Sequence, residues 1–373
     1  MDIVLLIGSL AVILVAAELF TNGIEWVGRK LNLAEGAVGS VLAAVATAMP
    51  ETLIPIIAIL GPLVLGGEAN PNAQAVGVGA ILGAPFMLST LAMFVTGTAI
   101  VIYTWRGRRG TAMRVNPTIL GRDVGFFILG YGIAIGTAFL PADLDWLKWV
   151  AAVVLIGLYA VYVWFHFRDD PESEGESEEL ARLHLTRVPG LDTSRTLELD
   201  VFPGEHSFVG PEPKMPIVVA QVALALALIV VGAQVFVGAV DHLSTVIGLD
   251  PTILALIIAP IATELPEKFN SVLWVRNGKD TLAMGNITGA MVFQSAVPTV
   301  LGLLFTPWAF SQDTLIYFAS AGVAFASTIL IFGGMLLRGR LSAWTLLIGG
   351  PFYLVYVYLA LFTPLGLAAP PAH

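Results

Sequence analysis

Ala46-Thr47-Ala48-Met49-Pro50-Glu51 and Ala262-Thr263-Glu264-Leu265-Pro266-Glu267 carry one pattern, A-T-x-x-P-E, each about midway along an apolar run. A shift of 216 residues lays 10–60 on 226–276 without a gap. Identities fall at Leu10, Ala11, Ile13, Val15, Ala17, Phe20, Leu33, Ala43, Ala46, Thr47, Pro50 and Glu51. Leu, Ala and Val matches mean little in apolar sequence. A repeated Pro-Glu means more, because an acid at membrane depth costs at least about 2.5–3.5 kcal/mol. A second block repeats on the next run: Gly79-Ala80-Ile81-Leu82-Gly83-Ala84 against Gly285-Asn286-Ile287-Thr288-Gly289-Ala290.

The whole chain supports a membrane reading. Of 373 residues, 57% are apolar and 12% charged, with a mean hydropathy of +0.85. Soluble domains carry roughly 25% charged residues. The apolar runs are continuous and near 20 residues, which fits spanning helices and not barrel strands. Ten spans are expected, at about 2–27, 35–60, 75–103, 122–140, 145–166, 215–240, 251–275, 281–305, 313–336 and 341–362. The first begins without a basic lead-in or an A-x-A site, so it reads as a retained span. Residues 168–214 hold 12 acidic and 5 basic residues and open on Asp169-Asp170-Pro171-Glu172, a linker composition. The chain is therefore all-α, with a first five-helix repeat (1–167), an acidic loop (168–214) and a second five-helix repeat (215–373).

Alternating the loops between sides puts 16 of the 18 basic residues on one side, from Arg29 and Lys30 to Arg338 and Arg340; only Lys148 lies opposite, and Lys268 is within a span. By the positive-inside rule the Arg-rich side is cytoplasmic. Both termini of a multi-pass cell-membrane protein are then external and the 168–214 loop is cytoplasmic. Five is odd, so the two copies enter the membrane from opposite sides, an inverted-repeat arrangement with a site expected at the midplane. There are no cysteines, which excludes disulfides and thiolate chemistry. His166, His184, His206, His242 and His373 fall at span ends, in a loop or at the terminus, which argues against an intramembrane His-metal enzyme.

In each copy Thr and Glu are four residues apart and share a helix face. The proline between them has no N–H, so the carbonyl four residues earlier, Ala46 or Ala262, loses its helical donor. Each copy thus offers a carboxylate, a hydroxyl and a freed carbonyl. Joined across a pseudo-two-fold axis, these make an oxygen cage suited to a hard cation such as Ca²⁺, which takes about 6–8 oxygens.

The A-T-x-x-P-E pair and the G-x-x-x-G pair on the following spans resemble the alpha repeats of the cation/Ca²⁺ exchanger superfamily, the sodium/calcium exchangers and their prokaryotic relatives. The resemblance covers nearly the whole membrane part, excluding 168–214. It implies two inverted five-helix halves, external termini and an internal central loop. The family pattern is G-T-S-x-P-E on the second and seventh helices and G-N-x-x-G-S-N on the third and eighth. By motif, Glu51 and Glu267 resemble the central carboxylates that bind Ca²⁺ and compete for Na⁺. Thr47 and Thr263 resemble the flanking threonines that ligate through hydroxyl or carbonyl oxygen. The chain departs from the pattern elsewhere. The family serine is Ala48 in one copy and Glu264, a third carboxylate, in the other. The G-S-N positions read Gly83-Ala84-Pro85 and Gly289-Ala290-Met291, and Leu88 and Gln294 stand where an Asn or Asp ligand is placed. Asn286 keeps the first family asparagine; Ala80 does not. The main cation site is thus kept while the accessory Na⁺ ligands are depleted, which leaves both Na⁺ and H⁺ as coupling ions.

The expected cation ligands are therefore Glu51, Glu267, Thr47, Thr263 and Glu264 with the carbonyls of Ala46 and Ala262. Lys268, Asn286, Gln294 and Glu18 are accessory candidates. Lys268 follows Glu264 by four residues, a favourable helical order. Two roles fit it: an ammonium standing in for a monovalent ion or coupling to protons, or a plain neutraliser of Glu264. Glu18 fits a gate or a helix-pairing group. Gly77-Val78-Gly79 and Gly333-Gly334 read as close helix-packing points. Trp146, Trp149, Trp164, Trp308 and Trp344 read as interfacial anchors. The acidic 168–180 run lacks EF-hand spacing and reads as a solvated linker, with regulatory Ca²⁺ as the alternative. The expected function is secondary antiport of Ca²⁺ against Na⁺ or H⁺ by alternating access. An uncoupled channel and a Mg²⁺ or Mn²⁺ exchanger are the alternatives. No enzyme activity, resident cofactor or nucleic-acid partner is expected; the partners are the lipid bilayer and the transported cations.

Overall fold

The computed structural model describes residues 2–31, 48–65, 71–168, 183–187 and 213–363. In chain order the helices are α1 (Asp2–Lys30), α2 (Met49–Leu65), α3 (Pro71–Trp105), α4 (Pro117–Gly136), α5 (Leu147–Arg168), α6 (Met215–Ile247), α7 (Pro251–Thr263), α8 (Leu265–Arg276), α9 (Asp280–Phe305), α10 (Leu315–Arg338) and α11 (Ala343–Phe362). Eight of these are long and apolar enough to cross a membrane, while Glu51–Gly61 and Pro251–Ile261 are shorter apolar helices. Those two belong to the repeated motif. Ala46, Thr47 and the start of the 35–60 run lie outside the described residues, as does nearly all of the acidic 168–180 run.

Prolines decide where the helices break. The 251–275 run is not one helix, for Glu264 sits at φ −88°, ψ 9° between α7 and α8, just before Pro266. In α9, Pro298 withdraws the donor from the Gln294 carbonyl, and the Thr299 hydroxyl replaces it at 2.8 Å. In α3, Pro85 precedes a π-turn at Leu88–Ala92, where the Ser89 and Thr90 hydroxyls donate to the Phe86 carbonyl at 3.0 and 2.6 Å. Helix ends follow local chemistry: Asn116 caps α4 by accepting from the Thr118 and Ile119 amides, with Pro117 just inside. Gly248 (φ 70°) and Gly339 (φ 65°) end α6 and α10 in the left-handed conformation.

The bundle has two packed regions. One joins α3, α4, α9, α10 and α11 with parts of α5, α7 and α8; the other joins α1, α2, α3, α6 and α7. α3 and α7 belong to both and lie against each other, because Gly79 and Gly83 present no side chain. A Cβ at Gly79 would strike the Thr252 carbonyl oxygen, and one at Gly83 the Leu256 carbonyl oxygen. Gly77 likewise makes room for Ile59 of α2. The Gly77–Gly79 expectation holds. Gly333 and Gly334 differ, for a Cβ on either meets nothing within 4 Å among the described residues. Trp308 differs too. It is buried beneath Gly302, and its indole N–H donates to the Ala134 carbonyl at 3.0 Å, so it fills the core. Trp146, Trp149, Trp164 and Trp344 are exposed, as anchors require.

At one end of the bundle Arg109 grips Asp280 with two nitrogens at 2.6 and 2.8 Å and the Val275 carbonyl at 2.6 Å. Beside it β1 (Ala112–Met113) pairs antiparallel with β2 (Leu341–Ser342). The loop residues Leu183–Arg187 also dock on the bundle. The His184 amide donates to Asn22 Oδ1 at 3.1 Å and the Leu185 amide to Gln221 Oε1 at 2.8 Å, while Gln221 Nε2 reaches Asn22 Oδ1 at 3.0 Å. Asp123 of α4 is a buried acid. It accepts from Tyr162 of α5 at 3.1 Å and from Thr288 of α9 at 2.5 Å, tying three helices together.

Gly83→Val places a side chain against a backbone carbonyl and should cost about 1–3 kcal/mol, whereas Gly333→Ala should leave the melting temperature in detergent nearly unchanged. Thr288→Val removes one donor from a buried carboxylate and should cost a further about 1–3 kcal/mol. Thermal unfolding of purified protein checks both.

Candidate cation site between the repeated motifs

Glu51 lies in the first turn of α2, Glu264 at the α7–α8 break, and Glu267 and Lys268 in the first turn of α8. All four are buried, between 1% and 6% exposed. Glu51 lies in the electrostatic field of Glu267 and Glu264 and beside the Thr263 side chain. The structure therefore brings together Glu51, Glu264, Glu267 and Thr263, four of the expected ligands, from the two motif copies. Ala262 lies in the last turn of α7, one residue before Thr263, and Pro266 denies its carbonyl a helical donor.

The donors around this cluster are directed elsewhere. The Thr263 hydroxyl, though within reach of Glu51, gives its one proton to the Ala259 carbonyl at 3.1 Å. Asn286 Nδ2 gives a proton to the main-chain carbonyl of Glu267 at 3.3 Å. Thr52, beside Glu51, donates back to the Ala48 carbonyl at 2.8 Å. Both carboxylate oxygens of Glu51 are consequently buried without a hydrogen-bond partner among the described residues, and so is Oε1 of Glu264. A buried carboxylate without donors is expensive, and a cation is the group that relieves it.

Lys268 neutralises part of this charge. Its Nζ lies 2.9 Å from Glu264 Oε2 and 3.1 Å from the Pro260 carbonyl oxygen, so the ammonium bridges the break between α7 and α8. Pro260 O also accepts from the Glu264 amide at 3.2 Å. Gln294 is buried in α9 with Oε1 unpartnered among the described residues. Glu18 does not join the buried cluster: it is 70% exposed, with Oε1 3.6 Å from His184 Nε2. Asp123 carries a signal in the sequence, an acid just inside the apolar 122–140 run. Asn22 and Gln221 look in sequence like ordinary polar residues of long helices, and their pairing across α1 and α6 appears only in three dimensions.

A family model described as sodium/calcium exchanger protein matches residues 1–168 and 217–362. The sodium/calcium exchanger MaX1 of Methanosarcina acetivorans is 29% identical over 111 residues, 29% of this chain and 31% of that protein. The putative antiporter CaxA of Alkalimonas amylolytica is 31% identical over 84 residues, 22% of this chain and 26% of that protein. The aligned stretches span under a third of the length of these curated relatives. Among solved structures, the H⁺/Ca²⁺ exchanger CAX superimposes with a TM-score of 0.65 at 16% identity, covering 97% of this chain and 82% of that one. The sodium-calcium exchanger NCX_Mj superimposes with a TM-score of 0.54 at 15% identity, covering 97% and 98%. These likenesses establish the fold. With both membrane regions on either side of the acidic loop matched by the family model, the chain belongs to the sodium/calcium exchanger protein family.

Proposed function

We propose that this chain is a secondary active antiporter that moves Ca²⁺ against a Na⁺ or H⁺ gradient by alternating access, with the two ions competing for Glu51 and Glu267. The observation that carries the reading is the pair of Glu51 oxygens, buried without a hydrogen-bond partner among the described residues in the field of two further carboxylates. Such charge suits a cation. Glu51, Glu267, Glu264, Thr263 and the Ala262 carbonyl would supply oxygen ligands, joined by Thr47 and the Ala46 carbonyl from the residues beyond the described part. An all-oxygen donor set of this charge favours Ca²⁺ over Mg²⁺, which sheds its water reluctantly.

The architecture belonging to this reading is ten spans in two inverted five-helix halves, with both termini external and the 168–214 loop cytoplasmic. α1 and α6 lie side by side over small residues, Gly232 against Ile13 and Gly23 against Val222. Smooth faces of this kind suit a pair that moves as one body over the α2, α3, α7 and α9 framework holding the carboxylates. The relatives named for sodium/calcium exchange, and the structural neighbour named for H⁺/Ca²⁺ exchange, agree with cation antiport and leave both coupling ions in play.

Isotopic Ca²⁺ uptake into reconstituted vesicles tests the reading. Uptake should require a trans cation gradient; uptake that proceeds without any trans ion would mean a channel. Comparison of an imposed Na⁺ gradient with an imposed pH gradient identifies the coupling ion. Glu51→Gln and Glu267→Gln should each lower exchange more than about 100-fold, since even outer partners of a metal ligand contribute about 10–100-fold. Normal flux in Glu51→Gln refutes the assignment.

A further inference from the structure

The site holds a charge that the exchange reading alone leaves without a purpose. Three carboxylates, Glu51, Glu264 and Glu267, share one buried region, and one ammonium, Lys268, lies among them. Their formal sum is −2, the charge one divalent cation cancels. Lys268 is not held as a surface ion pair. It is buried, and its two acceptors are one carboxylate oxygen and one main-chain carbonyl oxygen at 2.9 and 3.1 Å. Those are the oxygen types an alkali cation takes from a protein. The Pro260 carbonyl is placed there by the local break, because the chain turns at Glu264 and Lys268 resumes the helix on the far side.

We infer that Lys268 is a tethered cation: its ammonium fills a position that a free monovalent ion would otherwise take, and so lowers by one the number of coupling cations exchanged per divalent ion. The inference rests on the exchange reading above and assigns Lys268 as a specificity-determining residue of that site. A mobile cation enters and leaves with each half-cycle and carries its charge across; a lysine stays with the protein and carries none out. Glu264 is its fixed counter-charge. The pair therefore alters stoichiometry without adding a transported ion. Removing the ammonium alone leaves −3: the coupling-ion form then takes one more monovalent cation, while the divalent form still holds its single ion and no monovalent cation, so one more monovalent cation is exchanged per divalent ion. Removing both charges restores −2.

The measurement is the coupling number, read from the divalent ion accumulated at equilibrium in vesicles clamped at zero potential under graded coupling-ion gradients. Lys268→Met should raise that number by one, so that a tenfold coupling gradient yields about tenfold more divalent accumulation than in the unmodified protein. The double variant Glu264→Gln, Lys268→Met should return to the unmodified number, and Lys268→Arg should keep it. Should Lys268→Met not fold, Glu264→Gln serves instead: the lysine charge is then unbalanced and the coupling number should fall by one. An unchanged number in an active Lys268→Met, or in an active Glu264→Gln, overturns the inference. If Glu51→Gln is inactive in the same assay, the exchange reading survives that outcome; if Glu51→Gln retains flux, both readings fall together.

Discussion

Buried negative charge that its surroundings do not satisfy is the constraint on which this structure depends. Carboxylates inside an apolar bundle are ordinarily held by hydrogen bonds worth about 1.5–3 kcal/mol each when the acceptor is charged. Asp123 meets that standard, with a tyrosine and a threonine hydroxyl on its two oxygens. Glu51 does not. Thr263 lies beside it, yet the Thr263 hydroxyl donates back to the Ala259 carbonyl of its own helix, and neither Glu51 oxygen has a hydrogen-bond partner among the described residues. Two buried acids in one bundle are thus treated in opposite ways: one is tied down by hydroxyls from two other helices, while the other has no hydrogen-bond partner among the described residues.

Prolines create the geometry that makes this contrast possible. Pro298 frees a carbonyl in α9, and Thr299 closes the gap at once, so α9 stays a continuous helix. Pro266 is not compensated in that way. The chain breaks at Glu264, two short helices meet end to end, and Glu264, Glu267 and Lys268 gather at the junction. The first copy has the same Met49-Pro50-Glu51 placement, with Glu51 in the opening turn of α2. Helix starts are favourable places for acids, because the exposed amides of the first turn carry partial positive charge. A broken helix therefore lowers the cost of holding carboxylates deep in the bundle while keeping their oxygens available.

Close packing then fixes where the breaks lie relative to one another. α3 approaches α7 until its glycine positions abut the Thr252 and Leu256 carbonyls. The Leu256 carbonyl that Gly83 abuts is itself released by Pro260, four residues on within α7, so the glycine and the proline meet in one contact. At the α1–α6 face the packing is of another sort, small residues against aliphatic ones, with polar ties at Asn22, Gln221, the docked Leu183–Arg187 segment and the Asp2–His242 pair. The framework is rigid where the charges sit and smooth where the proposed motion runs.

The sequence by itself determined the membrane class, the repeated acid motif and the family resemblance, because each rests on composition, spacing or an expensive residue placed twice. It also determined that Lys268 would face Glu264, a matter of helical spacing alone. Tertiary structure decided what spacing cannot: that the seventh run divides into two helices, that Glu18 turns outward beside His184, that Trp308 is core and not anchor, and that Gly333-Gly334 faces open space. It alone decided that Asp123 finds its donors on two other helices and that Thr263, beside Glu51, donates to the Ala259 carbonyl. A hydrogen-bond donor carries one proton, and which acceptor receives it is settled by where the helices meet.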